Sequence, residues 1–248
     1  KVCYISLMLD IHLDRFLHFL VVEKGLSPNT LEAYSRDLTQ YFRFLESIDI
    51  TDLSQTHSET LYQYLGTLRS RKLSSRTQAR ILSALRSFYR FLQEESLRKD
   101  NPTLPLRGPK PKRTLPKTLS ELEVENLINQ PKTESPRGLR DAAMLEVLYA
   151  TGLRVSELIA LTLDQLELEA HLIRTMGKGS KERLVPIGKA ASRCLMDYLE
   201  KGRLPLLKHL MVPWVFLNNR GGRLSRQGFW KILRQYGRQA GILKKISP

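Results

Sequence analysis

A chain of 248 residues with 40 Lys+Arg against 25 Asp+Glu carries a formal net charge of +15, a balance that points to a polyanionic partner: DNA, RNA or an anionic membrane. The length allows one large or two modest domains with real cores. With no apolar run of about 18 residues, and a front end, Lys1 to Leu7, too short for a secretory signal, a cytoplasmic location is expected; Cys3, Cys194 and five scattered histidines make neither a disulfide framework nor a zinc site, so no metal or other cofactor is expected.

Taken in order, Leu13, Phe16, Leu17 and Leu20 recur at helical spacing, and Gly25 closes that segment. Ser27-Pro28 reads as an N-cap followed by proline at the first helical position. It opens a helix whose apolar stripe is Leu31, Tyr34, Leu38, Phe42 and Leu45. A third helix carries Leu61, Leu65 and Leu68. A fourth, capped at Ser74 or Ser75, carries Ile81, Leu82, Leu85, Phe88 and Leu92. Four amphipathic helices with short connections make a small bundle over residues 1–100. On its polar side Arg76 with Arg80, and Arg86 with Arg90, are like-charged pairs at i, i+4, each costing about 0.2–0.5 kcal/mol in isolation. A polyanion alongside would offset that; a solvated basic face is the alternative.

From Asn101 to Lys117 prolines alternate with Arg107, Lys110, Lys112, Arg113 and Lys117, which predicts a stiff, extended connector and a domain boundary. Its basic residues could track a DNA backbone while two domains close round a duplex. Ser120-Glu121-Leu122-Glu123 is a capping box. The run Ala142 to Tyr149 reads as a buried helix ended by Gly152, with a new helix carrying Arg154 in its first turn. A guanidinium there opposes the helix dipole; an ion pair with Glu157 three residues on, or an external anion, would resolve the conflict. Leu172–Met176 and Arg183–Ile187 are strand-like and joined by a Gly-rich basic turn, which predicts a hairpin with Lys178 at its tip. Ala190 to Leu199 is helical, and Trp214 to Leu217 is strand-like, ended by Asn218 to Gly222. A last helix runs from about Arg226 to Ala240 with Phe229, Ile232, Leu233 and Tyr236 on one face, so Tyr236 is a core residue and not a nucleophile. Reading Gly177-Lys178-Gly179-Ser180 as a nucleotide-phosphate loop fails on spacing, since Leu172 stands where a glycine is needed and Gly179 follows the lysine.

The words ATGLRVSEL (150–158) and GKGSKERLVPIG (177–188), with LSPNTLEAYSRDL and SSRTQARILSALRSFYRFL nearer the front, resemble Xer-type tyrosine recombinases of the phage integrase family over nearly the whole chain. The resemblance implies a fold that is mainly α with a small β-sheet: an N-terminal four-helix core-binding domain (1–100), a Pro-rich basic linker (101–117) and an α+β catalytic domain (118–248). It implies that a tyrosine attacks the scissile DNA phosphate to give a 3′-phosphotyrosyl bond, which a 5′-hydroxyl later attacks. Arg154 would hold the non-bridging oxygens as charge builds on them. Lys178 would protonate the departing 5′-oxygen, with Lys181 as the fallback donor and a DNA contact. Glu157 would orient Arg154. Thr30, Tyr34, Arg36, Arg76 and Arg80 would lie near phosphates or groove edges, although Tyr34 falls on the apolar stripe and reads equally as core. Implied partners are double-stranded DNA, further recombinase protomers forming a tetramer on two sites, and a DNA translocase, as in chromosome dimer resolution. In relatives the words matching AGILKKISP (240–248) lead into His-x-x-Arg and then the nucleophilic tyrosine. This sequence stops at Pro248, and family-like sequence starts only near Met8, so the expectation is a fragment that binds DNA without cleaving it. The alternative is a naturally non-catalytic DNA-binding relative acting as regulator or decoy.

Overall fold

The computed structural model describes residues 2–109, 118–176, 182–208, 211–244 and 246, with side chains from residue 9 onward. Chain contacts divide it into two units, Lys1–Thr114 and Leu115–Pro248.

The first unit is built from α1 (Val2–Val22), α2 (Pro28–Ser47), α3 (Ser58–Ser70) and α4 (Ser75–Glu94). Ser27 and Ser74 are the N-caps of α2 and α4, with Pro28 at the start of α2 and the Ser74 hydroxyl accepting from the Thr77 N–H at 3.1 Å. Phe16, Leu20, Leu38, Leu45, Leu61, Leu68, Leu85 and Phe88 are buried together, as their helical spacing predicts, whereas Leu31 and Tyr34 are only half-buried at the edge of that core. Tyr41, Tyr64 and Tyr89 join it. The hydroxyls of Tyr41 and Tyr89 lie 2.7 Å apart and that of Thr56 lies 2.8 Å from Tyr89, so these polar groups are buried as a hydrogen-bonded chain.

Beyond α4 the chain does not leave the bundle at once. Arg98 is buried and donates to the Thr56 hydroxyl at 2.7 Å and carbonyl at 2.5 Å, and to Asp100 at 2.9 Å. Residues 102–105 form turns instead of the extended connector expected, and Leu106 is inserted into the core. Burying a leucine contributes about 1.5–3 kcal/mol, and the adjoining carbonyls find donors: Tyr62 Oη to Pro105 at 3.1 Å, and Arg86 Nη2 to Leu106 at 2.6 Å. Arg86 therefore anchors this segment. Residues 110–117 lie outside the described residues.

The second unit opens with α5 (Glu121–Ile128), whose capping box has both halves: Ser120 N–H to Glu123 Oε2 at 2.7 Å and Glu123 N–H to Ser120 Oγ at 3.3 Å. Next come α6 (Pro136–Thr151), the single turn α7 (Val155–Leu158), and an antiparallel sheet of β1 (Leu166–Glu167), β2 (Leu172–Met176) and β3 (Glu182–Pro186) in that spatial order. After the sheet, α8 (Lys189–Asp197) runs through a π-helical stretch, Tyr198–Arg203, into α9 (Leu204–Leu207), so the helix does not end near Leu199 as expected; α10 (Arg226–Gln239) closes the unit. Trp214 to Leu217 is not a strand. It makes two isolated bridges, Thr162 with Trp214 and Leu217 with Arg223, while Val215, Phe216 and Leu217 are fully buried as a plug in the core. Its backbone is satisfied by loop and side-chain partners, Val215 N–H to Leu161 O at 2.8 Å and Tyr198 Oη to Val215 O at 3.0 Å.

Candidate active site

The residues from Thr151 to Val155 each have a local reason for their place. Helix α6 ends because Gly152 adopts φ 60°, a left-handed conformation that costs glycine little, and its N–H bonds Leu148 O at 3.0 Å. The Thr151 hydroxyl donates to Val147 O at 2.5 Å and accepts from the Leu153 N–H at 3.3 Å, which fixes the turn. Leu153, Val155 and Leu158 are buried in the core. With both neighbours pinned inward, Arg154 is held outward, its side chain 64% exposed. It is the N-cap of α7, one position earlier than a first-turn residue.

Glu157 is the centre of the arrangement. One carboxylate oxygen accepts from Arg154 Nη1 at 2.8 Å; the other accepts from the Arg154 backbone N–H at 2.8 Å and from Arg183 Nη2 at 3.0 Å. The predicted ion pair is therefore present, and it is shared with a second arginine. Burial of Glu157 would raise its pKa, but the hydrogen bonds from Arg154 and the charges of Arg183 and Arg154 outweigh that and hold the carboxyl below the usual glutamate range. Arg154 and Arg183 use one guanidinium nitrogen each on Glu157, so two forks stay open to solvent around one carboxylate, a local excess of positive charge.

Arg183 reaches Glu157 because of strand register. It pairs with Thr175 across β2 and β3, as Val185 pairs with Ile173, so it lies on the sheet face that Ile173 and Thr175 bury. Sequence reasoning quoted Arg183 within a motif and gave it no role. The signal was available: strand alternation places it in the same register as Val185 and Ile187, an odd position for an arginine without a partner. Lys178 and Lys181, expected at the tip of the hairpin, lie between β2 and β3 in sequence and outside the described residues. Tyr236 is buried and donates to Asp141 Oδ2 at 3.0 Å; burial and the Asp141 charge push its phenol well up, in keeping with a core residue. Buried Tyr198 is likewise pushed up, to about 12, chiefly by burial.

In the first unit, Arg80 is tied to Asp37 in an ion pair and reaches Ala33 O at 3.4 Å, so it joins α4 to α2 as well as presenting charge. Burial raises the Asp37 pKa in spite of Arg80. Arg76 is exposed at the start of α4, Thr30 Oγ1 lies 3.0 Å from Ser27 Oγ, and Tyr34 packs on the core edge. Arg36 is exposed and 3.7 Å from Glu32. At about 100° per residue, Arg36 points well away from Thr30 and Asp37 round α2, so the structure groups Thr30, Tyr34 and Arg80 but not Arg36.

The Phage integrase family model matches residues 117–248, and that of the phage integrase N-terminal SAM-like domain matches residues 13–96. Tyrosine recombinase XerD of Halalkalibacterium halodurans is 44% identical over 238 residues, 96% of this chain and 80% of the relative. The chain belongs to the phage integrase family, as a Xer-type tyrosine recombinase. Tyrosine recombinase XerC of Herpetosiphon aurantiacus is 43% identical over 231 residues, 93% of this chain and 76% of that one. The same fold is found in XerH site-specific recombinase bound to difH substrate (TM-score 0.68, 18% identity, 96% of this chain and 80% of that chain) and in a lambda integrase dimer bound to a COC′ core site (0.68, 15%, 96% and 84%). The four-helix unit and the mainly helical second unit with its small sheet are thus the two domains of a recombinase of this family.

Proposed function

We propose that this chain acts in site-specific strand exchange on double-stranded DNA, as one protomer of a tetramer assembled on two sites, with Arg154 and Lys178 handling one backbone phosphodiester. The observation that carries this is the Glu157 carboxylate, which joins Arg154 of α7 to Arg183 of β3. Arg183 is five residues from Lys178, and Met176, the last residue of β2, is two residues from it. A span of two residues is at most about 7 Å, so the lysine is tethered close to the hairpin that Glu157 binds to Arg154.

On this reading Arg154 stabilises charge on the non-bridging oxygens, where a planar fork held in place needs no reorganisation as the pentavalent transition state forms. Lys178 donates a proton to the departing 5′-oxygen, with Lys181 as second candidate and DNA contact. Glu157 orients Arg154 and Arg183 without touching substrate. Thr30, Tyr34, Arg76 and Arg80 present one DNA-contacting face. Arg36 presents another.

The cellular task proposed is chromosome dimer resolution in the cytoplasm, with a DNA translocase as the activating partner. The residues given supply binding and phosphate activation. Of the tyrosines of the second unit, Tyr198 and Tyr236 are buried and hydrogen-bonded and Tyr149 is exposed on α6; these 248 residues by themselves are expected to bind duplex without forming a covalent adduct. The test is a version extended through a tyrosine-bearing segment of the family type, assayed for protein-DNA adduct: Arg154→Ala should abolish adduct and leave binding largely intact. Loss of binding in parallel with adduct would refute the assignment of Arg154 to chemistry. Adduct formation by the 248 residues alone would overturn the expectation of binding without cleavage.

A further inference from the structure

Helix α2 carries Arg36, Gln40 and Arg43 at i, i+4 and i+7, one face of the helix. Across from them α3 offers Tyr64, and Arg71 follows at its C-cap, seven residues on. These side chains line a cleft of about 590 Å³ in the first unit, with Phe44 in its wall. Arg43 and Arg71 have no acidic partner among the described residues, and Arg36 has only an exposed glutamate, Glu32, at 3.7 Å. Tyr64 is 1% exposed, yet its hydroxyl makes no hydrogen bond among the described residues. Folded proteins rarely leave a desolvated hydroxyl without a partner, so this one calls for an explanation. Burial and the nearby Asp37 charge push the phenol up, so it stays a donor at neutral pH, and the Arg71 charge lies close enough to act on it.

We propose that this cleft is a phosphate site that takes two successive backbone phosphates of duplex DNA at a place other than the face carrying Thr30, Tyr34 and Arg80. It rests on the reading that the chain binds duplex. Three guanidiniums and a phenol supply more donors than the two oxygens of a carboxylate can accept, whereas a nucleic-acid backbone brings successive phosphates with open acceptor oxygens. Round α2, Arg36 and Arg43 lie about 100–140° from Thr30 and Asp37, with Gln40 between the two faces, so a duplex engaged by Arg80 would meet the cleft arginines with a separate stretch of backbone.

The test uses the whole chain and two probes. In calorimetry at matched ionic strength, inorganic phosphate should raise Tm relative to chloride. Tyr64→Phe removes only the unpartnered hydroxyl: its Tm in chloride should equal or exceed that of the parent, and its phosphate-induced shift should shrink. The double variant Arg43→Ala/Arg71→Ala should lose the phosphate shift and, in duplex titrations, flatten the slope of log K against log salt by about 2 without changing sequence preference. A lost phosphate shift with an unchanged duplex slope would overturn the assignment to DNA and make free phosphate the occupant. An absent phosphate shift in the parent with an unchanged slope in the variant, or a Tyr64→Phe protein less stable in chloride, would overturn the site itself. If the parent fails to bind duplex at all, the proposed strand-exchange function falls while the phosphate shift still decides the cleft.

Discussion

Replacing Glu157 tests whether one carboxylate organises the candidate site. It accepts one backbone N–H at an N-cap and one donor from each of two arginines whose side chains are 64% and 45% exposed. Loss of an N-cap acceptor costs about 1 kcal/mol, and half-exposed ion pairs, screened by solvent, are each worth about 0.5 kcal/mol. Glu157→Ala should therefore destabilise the second unit by about 2 kcal/mol, and Glu157→Gln, which keeps one acceptor but no charge, by about half that. Both tryptophans of the chain, Trp214 and Trp230, lie in the second unit, so urea unfolding followed by tryptophan fluorescence reads this unit alone. The pH dependence has a definite sign. Because the folded carboxyl is held below its ordinary value of 4.5, the advantage of the parent over Glu157→Gln should be full above about pH 4.5 and disappear as pH falls through the lowered folded value. A penalty under about 0.5 kcal/mol for Glu157→Ala at pH 7, or one that persists unchanged in acid, would refute the argument that this carboxylate holds the two arginines.

In the extended version, Lys178→Ala should lose adduct formation on an ordinary substrate and regain it on one with a bridging 5′-phosphorothiolate, whose leaving group needs no proton; absence of rescue would move the donor role elsewhere, with Lys181 next. Duplex affinity of the 248 residues should fall steeply with salt, and a flat titration would argue against a phosphate-dominated contact. Arg98→Ala should destabilise the first unit by about 3 kcal/mol, since the carbonyls of Leu53 and Thr56 and the Thr56 hydroxyl lose a buried donor. Far-UV circular dichroism should register that loss while tryptophan fluorescence of the second unit stays unchanged.

Much of this was legible in residue order because local signals and packing agree. Ser27-Pro28, Ser74, the Ser120–Glu123 box and Gly152 each mark a helix end by a mechanism that operates within four residues, and the apolar stripes of α2 and α4 follow from the helical repeat. What failed depends on contacts distant in sequence. Trp214 to Leu217 has the composition of a strand, but nothing local says that its neighbours are side chains and loops and not another strand. Leu106 is one apolar residue among prolines, and only the core it enters explains the turns before it. The same holds for the site. Arg154 with Glu157 could be read from i, i+3 spacing, whereas Arg183 needed the hairpin register.

The most direct test of the central claim, that Arg154 neutralises charge on a phosphodiester, compares the extended version and its Arg154→Ala variant on a substrate whose scissile phosphate has one non-bridging oxygen replaced by methyl. On the ordinary phosphate the substitution should slow adduct formation by about 100-fold or more. On the neutral methylphosphonate, which has no such charge to stabilise, the penalty should fall below about tenfold. An equal penalty on both substrates would contradict the account.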